Sequence, residues 1–75
     1  MEKVFKFNIT KEDVGYSADC QDDFIVTEAD SFDELIININ EAVELYCEES
    51  DLQEYIKEGR AKVSINFEQP VAYVA

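Results

Sequence analysis

The chain reads as a small α+β domain with element order β-β-β-α-β, a sheet carrying one main helix on one face. Three observations predict this. Apolar and polar residues alternate with a period of two near both ends of the chain, the signature of half-buried strands. Between them, apolar residues recur at spacings of three and four, the signature of a helix resting on a core. That helical run opens on Ser31-Phe32-Asp33-Glu34, a capping-box pattern. With 75 residues the chain can build one small core and little else, because domains of about 60 residues bury only about 60% of their unfolded surface. The expectation is therefore a single domain over residues 1–75, with a core over about 3–67 and an apolar tail over 68–75. Hydrophobic residues at 47% are too many for an acidic disordered tail.

From Lys3 to Ile9, Phe5, Phe7 and Ile9 fall on one face and Val4, Lys6 and Asn8 on the other, which predicts the first strand. Thr10 to Gly15 is a polar turn closed by glycine. Tyr16, Ala18 and Cys20 alternate with Ser17 and Asp19 in a second strand. Gln21, Asp22 and Asp23 then form a turn, and Phe24 to Ala29 is rich in the β-branched and aromatic residues that suit a third strand. Ser31 caps a helix reaching Cys47, with Leu35, Ile36, Ile39, Ala42, Val43 and Tyr46 as its apolar stripe. Asn38, Asn40, Glu41, Glu44, Glu48 and Glu49 point outward. Asp51 to Glu58 predicts a second short helix, capped by Ser50 and stopped by Gly59. The period then returns to two over Ala61 to Phe67, where Val63, Ile65 and Phe67 oppose Lys62, Ser64 and Asn66, and Pro70 ends this fourth strand.

Composition excludes several chemistries. The chain has no His, which removes the usual general base, the Ser-His and Cys-His pairs and His-containing zinc sites. Two cysteines, Cys20 and Cys47, are too few for a disulfide scaffold, and on apolar faces they read as small buried hydrophobes. No apolar run approaches the roughly 20 residues of a membrane span, and the N-terminus lacks the apolar stretch of a signal peptide. The reading is a cytoplasmic chain with reduced thiols and no membrane association. Six basic and 18 acidic residues leave a net charge of −12, which opposes direct contact with nucleic acid. The charge is also unevenly placed. No Lys or Arg occurs between Lys11 and Lys57, whereas the 45 residues from Glu12 to Ile56 hold 15 of the 18 acids. Such a surface is either a solvated, solubilising one or a landing site for a basic protein.

The run Gly15-Tyr-Ser-Ala-Asp-Cys20, a turn, Thr27-Glu-Ala-Asp-Ser31-Phe-Asp-Glu-Leu35 and Asn38-Ile-Asn-Glu-Ala42-Val-Glu-Leu-Tyr46 resembles the N-terminal domain of HicB-type antitoxins over about residues 3 to 67. The resemblance implies a truncated RNase H-like fold without a nuclease centre, in which the last strand lies beside the first and parallel to it. It also implies a partner, a small basic HicA-like toxin that degrades messenger RNA. Between Cys20 and Ala29 the sequence lacks the Pro and Gly-Cys common in that family, and no DNA-binding domain is expected within residues 1–75.

An RNase H-like order raises the question of a magnesium site, for which Asp13, Asp19, Asp22 and Asp23 are the acids near the first strands. They read as solvated turn acids. The expectation is a non-catalytic protein-binding module with no metal or cofactor, in which Asp22, Asp23, Glu41, Glu44 and Glu48 steer a basic partner. The alternative is a stand-alone homo-oligomeric domain of this kind without a toxin, presenting its acidic surface to another basic protein. Tyr16 and Tyr46 read as core residues with hydroxyls at the rim. Bare sheet edges and a helix-free face exposing Val4 and Val26 predict a homodimer or higher homo-oligomer, with Val71, Tyr73 and Val74 of the tail as interface residues.

Overall fold

The computed structural model describes residues 2–20 and 22–68. Its elements are β1 (Lys3–Lys11), β2 (Tyr16–Cys20), β3 (Ile25–Ala29), α1 (Phe32–Glu49), α2 (Gln53–Lys57) and β4 (Ala61–Glu68). They form one four-stranded mixed sheet of order β3-β2-β1-β4. The hairpin strands are antiparallel, with Ile9 opposite Ala18 and Ala18 opposite Thr27. β4 runs parallel to β1, with Phe5 opposite Val63 and Ile9 opposite Phe67. The expected position and direction of the last strand are thus found.

The period-two alternation directs Phe5, Phe7 and Ile9 of β1, Ala18 and Cys20 of β2 and Ile25 of β3 to one face. Leu35, Ile39, Val43 and Cys47 of α1 close over them, and these ten residues are the buried core. The Ser31 hydroxyl accepts a hydrogen bond from the Glu34 amide at 3.2 Å, while Asp33 and Glu34 meet the positive end of the helix dipole. α1 lies nearest β3 and β2. Asn38 fastens it there, its side-chain amide donating to the Glu28 carbonyl at 3.0 Å.

Gly15 is required by its surroundings. Its φ is +83°, and a Cβ there would stand 2.4 Å from the Ala29 carbonyl oxygen, closer than any side chain tolerates.

Two expectations are corrected. Phe24 does not begin β3: it has a positive φ of 55° and is 91% exposed, so the turn extends to it and the strand starts at Ile25. Ser50 does not cap α2. It ends α1 instead, its amide and hydroxyl both donating to the Tyr46 carbonyl, while α2 follows Leu52 without a side-chain cap. On the helix-free face Val4 and Val26 are exposed as expected, among polar residues. Lys6, Asn8, Thr10, Ser17, Asp19, Glu28, Lys62, Ser64 and Asn66 occupy it by alternation, and Asn66 donates to Asn8 across the β1–β4 pair at 3.3 Å. Val26 shares a row with Asp19, Asn8 and Asn66, whereas Val4 lies opposite Lys62, so the two valines do not meet.

Candidate functional site: the outer face of the main helix

α1 buries Leu35, Ile39, Val43 and Cys47 toward the sheet. A helix advances about 100° per residue, so Glu41, Glu44 and Glu48 fall within an arc of about 60° on the opposite side. All three are exposed. Ile37 lies within that arc and Leu45 beside it, each 56% exposed. The 18 residues of α1 contain six acids and no Lys or Arg, so the stripe is a field of one sign with two apolar side chains in it. Glu48 and Glu44 also border a shallow groove of about 270 Å³ where α1 meets α2, lined in addition by Gln53, Ile56 and Lys57. Ile37 and Leu45 escape the sequence reading because they fall outside the three-and-four spacing of the buried stripe.

Asp22 and Asp23, adjacent in sequence, are separated by the fold. Asp22 is exposed. The Asp23 carboxylate, expected beside Asp22 as a steering charge, is turned inward with only 9% of the side chain exposed and is engaged inside the fold. It accepts from the Lys3 ammonium at 3.2 Å, the Tyr46 hydroxyl at 3.1 Å and, more weakly, the Cys20 thiol at 3.6 Å. One carboxylate therefore ties the start of β1, the β2–β3 turn and the last part of α1. Its hydrogen bond with the Tyr46 hydroxyl raises that phenol above the usual tyrosine range, with burial adding to the effect. Burial tends to lower the Lys3 ammonium, but the Asp23 hydrogen bond and charge outweigh it and raise it overall. Burial pushes both the Cys20 and Cys47 thiols up. They are held protonated, the opposite of what a nucleophilic thiol needs.

Among the described residues no group of three Cys, Asp or Glu side chains could hold a metal ion, and Asp19 lies on the helix-free face in a row with Val26 and Asn8. No described helix is long and apolar enough to cross a membrane. Val71, Tyr73 and Val74 lie outside the described residues.

The basic residues, distant in sequence, converge. Parallel pairing of β1 with β4 brings Lys3, Lys6 and Lys62 to one end of one sheet half, where Lys62 pairs with Glu2 at 2.7 Å. The molecule is thus polarised, with bases along β1 and β4 and acids over α1 and the turns. Comparison with family models, with curated proteins and with solved structures finds no match.

Proposed function

We propose that this domain acts by binding rather than by catalysis, and that the outer face of α1 receives a small basic protein. The observation that carries the reading is the stripe of Glu41, Glu44 and Glu48 around exposed Ile37 and Leu45. A one-signed field raises the encounter rate with a cationic partner, and apolar side chains inside a charged surround supply the desolvated contact that holds a complex. The resemblance to HicB-type antitoxins gives the reading its most specific form, neutralisation of a basic, messenger-RNA-degrading toxin in the cytoplasm.

The test is capture from an extract of the source cell, at about 10 mM and about 150 mM salt, on wild-type chain and on the triple variant Glu41→Lys, Glu44→Lys, Glu48→Lys. A cationic protein retained by the wild type, more strongly at low salt, and lost from the triple variant is the expected result. Lys6→Glu, on the helix-free face, should leave capture unchanged. Equal capture by wild type and triple variant would reduce the stripe to a solubility device.

A further inference from the structure

Besides Val4 and Val26 on the helix-free face, exposed apolar side chains gather on the helix side, at the sheet edge. β4 is an edge strand, and because α1 sits over β2 and β3 it leaves the outer part of β4 uncovered. Ile65 is 41% exposed, Phe67 36% and Phe32 39%. Phe32 and Phe67 meet Tyr16 in a three-ring cluster with centroid distances of 5.8 to 6.3 Å. An eight-residue strand whose outer edge pairs with no other strand among the described residues, with apolar side chains at its rim, is a template for another strand.

Charge says which strand. Two chains of net charge −12 repel most where their acids face each other. β1 and β4 are the exception, carrying four lysines and one glutamate between them, so the β4 edge is where two copies approach at least electrostatic cost. The strand is also complementary to itself. Laid antiparallel about a two-fold axis at Ile65, Val63 stands opposite Phe67 of the second copy, Ser64 opposite Asn66, and Lys62 opposite Glu68. Each of these pairs occurs twice by symmetry, and apolar or opposite-charge neighbours across a strand pair stabilise it. The ion pair of Lys62 with Glu2 is exposed on both sides and is cheaply exchanged.

We propose that β4 pairs antiparallel with β4 of a second copy about Ile65, joining two four-stranded sheets into one of eight strands. This interface is independent of the reading of α1, whose outer face stays free in the dimer.

Sedimentation velocity on the full chain tests it, with circular dichroism to check folding. Wild type should sediment at twice 8.6 kDa. Ile65→Asp sets two carboxylates on the axis and should give the monomer mass with unchanged helix and strand content. Lys62→Glu should weaken the dimer about tenfold, and Lys62→Glu combined with Glu68→Lys should restore it, since the swap rebuilds both pairs at the same net charge. A wild-type monomer at every concentration, including one whose β4 edge is protected from hydrogen exchange by residues 69–75 of its own chain, would overturn the proposal. So would a dimer that keeps its mass in both single variants, or a swap that restores nothing.

Discussion

Asp23 shows how little separates two neighbouring acids in sequence and how much in space. The Asp22 carboxylate is in water, so Asp22→Ala should change stability by no more than about 0.5 kcal/mol. Asp23→Ala removes the shared acceptor of Lys3, Tyr46 and Cys20 and should cost about 1–3 kcal/mol in urea unfolding. Equal effects of the two substitutions would disprove the structural role of Asp23. The groups around it also set the response to alkali. Lys3, Cys20, Tyr46 and Cys47 all have raised values in the folded chain. Folding therefore favours the protonated form of each, and the stability this contributes is complete below their ordinary values, which begin at 9.0 for the thiols. It is lost as pH climbs through the raised ones. The melting temperature should be level from about pH 7 to 8.5 and fall above that range. A melting temperature that rose between pH 9 and 11 would contradict the assignment.

At the scale of elements, α1 is the piece on which both stability and the proposed function rest, and its two faces separate them. Ile39 is 1% exposed on the buried face of α1, so Ile39→Ala should cost about 2–5 kcal/mol, the loss of buried methylenes plus the cavity left behind. Leu45 on the opposite face should tolerate Ala to within about 0.5 kcal/mol and yet lower partner capture, because its proposed role is contact rather than packing. Chemical denaturation and capture measured on the same two variants would show whether the faces are separable. The helical spacing and the Ser31 cap made α1 legible in the sequence, and the alternations made β1 and β4 so. The end of α1 was less legible, because Ser50 suits either the end of one helix or the start of the next. Its hydrogen bonds to the Tyr46 carbonyl decide for the first. Phe24 misled for a related reason. Its residue type suits a strand, but a backbone φ of 55° belongs to the turn.

For the whole molecule, a net charge of −12 works against compactness, since like charges repel one another across the fold. Raising salt from about 10 to about 150 mM should therefore stabilise the domain, by about 4–8 °C if screening recovers about 1 kcal/mol. A falling melting temperature would mean that the ion pairs of Lys3 with Asp23, Arg60 with Glu58 and Lys62 with Glu2 outweigh the repulsion. The element order, the core-facing residues of β1 and β2, and the acidic outer face of α1 are all legible in the order of residues alone. These follow from local periodicity, which a chain carries in its residue spacing. The remaining features arise from contacts between distant segments. Parallel pairing of two strands more than fifty residues apart gathered the bases along β1 and β4 and left Ile65 and Phe67 exposed at the edge beyond the reach of α1, while the approach of the β2–β3 turn and α1 to the start of β1 turned Asp23 inward to Lys3 and Tyr46. Those outcomes depend on which faces of distant segments come together and how far one helix can cover, quantities that no local spacing records.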